Sequence, residues 1–206
     1  MRKCIFKLQR FILLILAVLP VVGLSQNIEK PDKEIKEKCY ESFYSYKIEA
    51  PAYVIYKLYH GGGNVPRKGF RFKSNLPHFT YPHSGYDIGH MCNAEDFASS
   101  KELEESTFRY YNAVPQKPNL NRGVWEVNEK DIRKLSQTDS LLIVCGGCDY
   151  SGLIPARCFK VVYSLSTKRM VYAKIFTNSN DATESDCEAL VDKFPFEAIY
   201  KMYKKN

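Results

Sequence analysis

His90 and the row Asn121, Trp125, Glu129 and Arg133 are the residues of this sequence whose types and spacing could do chemistry. The histidine follows a glycine directly, in Tyr86-Asp87-Ile88-Gly89-His90-Met91. An imidazole has a pKa near ambient pH, so it can take or give a proton under mild conditions. The other four recur at steps of four, which on a helix places them in one slowly drifting stripe. A carboxamide oxygen and a carboxylate suit a hard cation, and a guanidinium suits a phosphate or a carboxylate. Each residue also has an ordinary structural use. A lone histidine is commonly hydrogen-bonded within the fold, Asn121 is a natural N-cap, Trp125 reads as core packing, and Glu129–Arg133 at i,i+4 is a routine surface pair.

The elements that must position these residues are legible in outline. Residues 86–91 read as a short strand ending at the histidine, and 93–97 as a polar turn leaving it. Residues 100–106 read as a helical turn, and 107–114, aromatic and β-prone, as extended chain up to Pro115. Pro118-Asn119-Leu120-Asn121 supplies turn and capping chemistry before a helix expected over 123–137. On it Val124, Val127, Ile132 and Leu135 lie largely off the polar stripe and are expected to face the core. Upstream, 52–59 reads as a strand stopped by Gly61-Gly62-Gly63, and 66–84 as a loop. Arg67, Lys68, Arg71 and Lys73 make that loop either a local basic patch or an ordinary solvated segment. Downstream, 140–145 is a continuous apolar run bounded by Asp139 and Gly146, as in a strand buried on both faces. Residues 159–165 and 170–176 flank a short polar turn and read as a hairpin. The end, 183–203, reads as mostly helical, interrupted at Pro195. Strands with helices inserted between them predict an α+β fold with a mostly antiparallel sheet flanked by helices.

The first 25 residues read as a signal peptide. Arg2, Lys3, Lys7 and Arg10 form a basic start, residues 11–22 are unbroken apolar, and Gly23-Leu24-Ser25 offers small residues for cleavage. The apolar run is shorter than the roughly 20 residues needed to span a bilayer, so a secreted or periplasmic protein is expected. Removing four basic residues lowers the formal charge from +7 to +3, with 26 Lys and Arg against 23 Asp and Glu. A balance that small does not by itself announce a polyanion partner. Residues 26–45 are expected to form an N-terminal arm, with 26–38 solvated, and 46–206 a single domain. Six cysteines remain after the leader, an even number in an exported chain, which favours disulfides whose connectivity the sequence does not give. Cys145-Gly146-Gly147-Cys148 leaves open a redox pair or half of a zinc site.

The two chemical segments together resemble the DNA/RNA non-specific endonuclease family, of the ββα-metal or His-Me finger superfamily. That family pairs a D-R-G-H strand end with an N-x-G-x-W helix start. Here the segments read Asp87-Ile88-Gly89-His90 and Asn121-Arg122-Gly123-Val124-Trp125. Between them Asn112-Ala113-Val114-Pro115-Gln116 resembles the family's N-x-x-P-Q, and Glu129 and Arg133 fall on its E-x-x-x-R. Several spaced motifs in order are far more specific than any one of them.

The resemblance implies an endonuclease that cuts DNA and RNA with little sequence preference and leaves 5′-phosphate ends. His90 would be the general base, and Asn121 the single protein ligand of Mg²⁺, with Mn²⁺ or another divalent cation able to substitute. Glu129 would hold the cation's water shell, and Arg133 would orient Glu129 or bind phosphate. Asn112 would fix the histidine loop or the substrate, and Arg122 and Arg67 would contact the nucleic acid. Position 88 departs from the pattern, with isoleucine where the family has a basic residue. Arg122 could partly substitute. The rivals are a catalytically weakened homologue that binds nucleic acid or protein, and a thiol-redox protein built on Cys145 and Cys148.

Overall fold

Apolar, β-branched runs fix the centre of the molecule. Three long strands, β6 (Leu141–Ser151), β7 (Ile154–Ser164) and β8 (Arg169–Thr177), pair antiparallel in register Val144↔Val161 and Val161↔Ala173. The computed structural model describes residues 26–76, 80–81 and 84–204. The expected leader lies outside these residues, as do His78 and His83. Residues 141–148 are all buried, so the apolar run predicted as a strand covered on both faces is one, and it extends six residues further.

Four further strands complete one sheet in the order β1-β2-β3-β6-β7-β8-β9, every pairing antiparallel. They are β1 (Lys33–Lys36), β2 (Tyr40–Ser45), β3 (Ala50–Leu58) and β9 (Glu184–Asp186). This corrects two expectations. Residues 26–45 are not an arm: β2 is wholly buried, because Tyr40, Phe43 and Tyr44 belong to the core whatever the charge around them. Residues 184–186 are not helical but add a short, exposed, acidic edge strand, a composition that discourages further pairing.

Strand alternation sends side chains into two cores. Tyr56, Ile143, Cys145 and Val162 face one layer, with Trp125 and Ile132 packed on them. Leu142, Val144, Phe159 and Val161 face the other, covered by α3 (Ala189–Lys193) and α4 (Phe196–Lys204). The first layer holds the chemical segments. It is inserted between β3 and β6 and contains β4 (Asp87–His90), α1 (Lys101–Ser106), β5 (Ala113–Gln116) and α2 (Trp125–Leu135). Ser100 caps α1 by accepting from the Leu103 amide. Residues 107–114 are less extended than expected, since Tyr110–Asn112 coils into a 3-10 turn and the strand begins only at Ala113, running through Pro115.

Candidate active site

β4 and β5 form a two-stranded ribbon in register Asp87↔Gln116, Ile88↔Pro115, Gly89↔Val114 and His90↔Ala113. Gly89 is required by close approach: a Cβ there would lie 2.0 Å from Gln116 Oε1. Asn112 is fully buried behind the histidine. Its Oδ1 accepts from the Cys92 amide at 2.8 Å, and its Nδ2 donates to the carbonyls of Cys92 and Thr107, each at 2.9 Å. The Met91 amide donates to the Asn112 carbonyl at 2.8 Å. The fully buried Asn112 side chain thereby ties the backbone of Cys92 to that of Thr107.

The His90 ring lies between Phe72 and Phe108, with ring centroids 4.7 and 4.9 Å away. Its Nε2 is buried and has no hydrogen-bond partner among the described residues. Burial, and then the charge of Arg67, push its pKa down to about 3. The sequence placed this pKa near neutrality. In the fold, a largely apolar enclosure penalises the imidazolium, and the ring stays neutral through the physiological range.

Leu120–Val124 forms a wide helical turn broken at Gly123, whose φ of −116° and ψ of −117° are not helical. The break separates Asn121 from the body of α2. Asn121 Nδ2 donates to Asp87 Oδ2 at 3.1 Å, which commits the amide nitrogen and leaves its oxygen uncommitted to that contact. Arg122 forks onto the same carboxylate, Nε to Oδ2 at 2.7 Å and Nη2 to Oδ1 at 2.5 Å. Burial works against ionisation of Asp87, but the bonds from Arg122 and Asn121 outweigh it and hold the carboxyl below its usual range. The first residue of the histidine segment thereby orients the first residues of the helix segment.

The helix face agrees with expectation at Val124 and Ile132, which pack in the core, and differs at Val127 and Leu135. Trp125, Asn128, Glu129 and Ile132 are buried, whereas Val127 is 58% exposed and Leu135 39% exposed. The polar stripe therefore forms the floor of the site. Trp125 packs edge-on to Phe176 with centroids 5.1 Å apart. Lys160, a wholly buried lysine on β7, places Nζ 3.9 Å from the Trp125 ring centroid and 3.7 Å from Glu129 Oε1. Arg133 Nη1 donates to Asp96 Oδ1 at 2.9 Å, and the Tyr56 hydroxyl donates to Asp96 Oδ2 at 3.2 Å. Burial pushes Glu129 up to about 7 against the pull of Lys160 and Arg133. It pushes Asp96 up to about 6 against Arg133 and Lys160.

His90, Asn121, Arg122, Glu129, Arg133 and Arg67 all line one open cleft of about 230 Å³, together with Ile88, Asn93, Ala94, Glu95 and Glu126. Six of the seven residues singled out in the sequence thus converge, and Asn112 stands behind them. The arginines are not idle: Arg67 Nε donates to Glu104 Oε1 at 2.5 Å, Arg122 is held by Asp87, and Arg133 by Asp96. Asp96 and Lys160 were missed. Nothing local marks Asp96, but Lys160 stands inside the apolar run Phe159-Lys160-Val161-Val162, and a lysine within a buried strand is a readable signal.

Among the described residues no group of three or more His, Cys, Asp or Glu side chains is placed to hold a metal ion. The donors in the cleft fit a cation that keeps most of its own water: one amide oxygen of Asn121, with the Glu129 carboxylate on the same wall.

This ββα arrangement and its sheet define the class. The chain belongs to the DNA/RNA non-specific endonuclease family, whose sequence model matches residues 24–201. Over 67 residues, 32% of this chain, it is 37% identical to mitochondrial endonuclease G of Bos taurus and 36% identical to that of Homo sapiens. Over the same length it is 40% identical to a nuclease of Nostoc sp.. These matches span only 22%, 23% and 24% of those proteins. A solved structure, described as the EndoG/EndoGI complex and the mechanism of EndoG inhibition, superposes with a TM-score of 0.63 at 21% identity. It covers 77% of this chain and 82% of that one, and shows the same α+β fold.

Proposed function

We propose that this chain is a metal-assisted endonuclease that hydrolyses phosphodiester bonds of DNA and RNA with little sequence preference. The observation that carries the reading is the cleft itself: His90, a neutral imidazole whose Nε2 has no partner among the described residues, lines the same space as Asn121 and three arginines. His90 takes the proton of the attacking water. With a pKa near 3 it is a weak base in the free protein, and a phosphodiester bound in the cleft supplies the negative charge that offsets Arg67 and strengthens it. Asn112 and the β4–β5 ribbon hold that ring in place, so little reorganisation is needed at the moment of reaction.

Asn121, oriented by Asp87, would hold the divalent cation, with Glu129 positioned toward its water shell. When bound, Mg²⁺, or Mn²⁺ in its place, supplies charge neutralisation at the phosphate and at the departing 3′ oxygen. Arg122 and Arg67, at the exposed rim, meet the phosphate backbone, and Arg133 acts from the floor through Asp96 and Glu129. Contacts to phosphate carry no base information, which accounts for indifference to sequence. By family resemblance the products carry 5′-phosphates. The leader-like first 25 residues support export, to the periplasm or the medium.

One observation favours a second reading, a catalytically weakened homologue that binds nucleic acid or protein. Ile88 lines the cleft where the family pattern has a basic residue, and the neighbouring guanidinium of Arg122 is engaged by Asp87. Digestion of plasmid DNA and of RNA by the purified chain, with Mg²⁺ and with EDTA, separates the two. Cleavage of both polymers in Mg²⁺ alone, falling steeply as salt rises, supports the nuclease; salt-sensitive binding without cleavage supports the weakened homologue.

A further inference from the structure

The ribbon that carries His90 continues one residue beyond its paired strands. At the end remote from the histidine, β4 and β5 pair as Asp87↔Gln116, a register that sets Tyr86 opposite Lys117. The two side chains meet, with Lys117 Nζ 4.2 Å from the Tyr86 ring centroid. Side chains alternate along a strand, so Tyr86 shares the face of Ile88 and His90, both of which line the catalytic cleft. At about 3.3 Å per residue, the step from Tyr86 to His90 is about 13 Å.

The backbone under Lys117 is tied down on both sides. Its carbonyl accepts from the Leu120 and Asn121 amides, each at 2.9 Å, which fixes it relative to the proposed cation ligand. Its amide donates to Asn178 Oδ1 at 2.7 Å, and Asn178 Nδ2 donates in turn to the carbonyls of Pro115 and Pro155 at 2.9 and 2.8 Å. The charge of Lys117 is also unspent. Arg67 is engaged by Glu104 and Glu95, Arg122 by Asp87 and Arg133 by Asp96, whereas Lys117 makes no ion pair among the described residues. An aromatic face holds an ammonium in place without neutralising it. The thiols compose no comparable site: all six cysteines of the described chain are free rather than in the expected disulfides. Cys145 and Cys148 lie three apart on β6 and face opposite cores, which removes the C-x-x-C pair as a redox centre.

We propose that Tyr86 and Lys117 form a second phosphate subsite for the polynucleotide, in which the Lys117 ammonium binds a backbone phosphate a few nucleotides from the one that is cut and the Tyr86 ring holds that ammonium toward the strand. The proposal rests on the nuclease reading and extends it beyond the cleft. A strand lying along this face of the ribbon reaches both positions, since about 13 Å corresponds to roughly four nucleotides at the 3.4 Å rise of a duplex strand. A free phosphate ion fills only one position at a time, so the chain of phosphates is the ligand that the spacing suits. Lysine meets phosphate as a point charge, and the contact reads no base.

The test has a binding arm and a rate arm, each with variants confirmed folded by their melts. Anisotropy of a labelled single-stranded oligonucleotide, titrated across a range of salt concentrations in a His90→Ala background so that no strand is cut, gives Kd and its salt slope. Lys117→Gln should weaken binding roughly three- to tenfold and make the slope shallower by about 0.7, the loss of one phosphate contact. Lys117→Arg should keep the slope. Tyr86→Leu keeps the charge but frees it, so it should weaken binding with the slope unchanged.

With His90 intact, kcat/KM is compared between a polynucleotide and bis(p-nitrophenyl) phosphate, a small diester that fills the cleft alone. In Lys117→Gln the ratio of the first to the second should fall roughly three- to tenfold, through KM rather than kcat. A ratio equal to the parent's, a salt slope unmoved in Lys117→Gln, or a Tyr86→Leu variant that binds like the parent would overturn the proposal. The two levels of the account fail separately. A protein that binds the oligonucleotide with the Lys117-dependent slope but cuts nothing would sink the nuclease reading and support the subsite, whereas one that cuts with an unmoved slope would sink the subsite alone.

Discussion

Asn112→Ala tests whether the histidine segment is clamped from behind. The side chain makes three hydrogen bonds of 2.8–2.9 Å in a fully buried setting. Truncation removes the side-chain partners of the Cys92 amide, the Cys92 carbonyl and the Thr107 carbonyl in a buried setting. At about 1–1.5 kcal/mol each, the loss is about 3–4 kcal/mol, or roughly 10 °C in melting temperature for a domain of this size. Asn112→Asp should cost at least as much, since it keeps one acceptor but turns a carboxylate oxygen toward two carbonyls in a dry site. Urea midpoints and thermal melts of the parent and both variants give the magnitude, and nuclease rates on the folded fraction give the catalytic consequence. An alanine variant that melts within about 2 °C of the parent while losing activity would refute the clamp and return Asn112 to the substrate.

The further predictions concern charge. Lys160→Met removes the cation 3.7 Å from Glu129, so the acid limb of the pH–rate profile should move to higher pH. A shift of about one unit cuts the ionised fraction of Glu129 at pH 7 from about half to about a tenth, a roughly fivefold slower rate that alkaline pH restores. An unmoved limb would show that Lys160 does not govern this carboxylate. Glu129 is raised from 4.5 to about 7 and Asp96 from 3.8 to about 6, so the stability they contribute is present below about pH 4 and lost as pH rises through 6 to 7. Glu129→Gln should therefore gain on the parent in urea midpoint between pH 5 and pH 8, and a gap constant with pH would contradict the burial argument. His90 has the opposite sign: lowered from 6.5 to about 3, it favours the fold above pH 6.5 and loses that contribution as pH falls toward 3. Ile88→Arg should speed cleavage roughly ten- to a hundredfold, the worth of a charge-assisted contact of about 1.5–3 kcal/mol, and no gain would mean the neighbouring arginines already serve.

The parts of the site that the sequence exposed are those set by local chain. Gly89 before His90 is dictated by the Gln116 side chain lying on it, and Asn121 with Gly123 by the broken turn that starts α2, so both appear as spaced motifs. The floor is different in kind. Asp96 meets Arg133 because the turn Ala94–Phe97 lies against α2, and Lys160 meets Glu129 and Trp125 because β7 passes beneath it, and no periodicity within any of these segments encodes those crossings. The same packing shifted the expected helix face in part, since Asn128 and Glu129 found buried polar partners in Tyr172 and Lys160 while Val127 and Leu135 were left outside and Ile132 stayed in the core as expected. The strands β3, β6, β7 and β8 were legible because their apolar runs are long. β1 and β9 were not, because short edge strands are charged to avoid further pairing and so read as solvated chain.

The central claim is that His90 is the base of a divalent-cation-assisted phosphodiesterase. It is tested most directly by the initial rate of supercoiled-plasmid nicking in Mg²⁺ for the parent and for His90→Ala, both confirmed folded by their melts. The account predicts a rate at least about a hundredfold lower in the variant, and loss of the parent's activity in EDTA. Equal rates in the two proteins would contradict it.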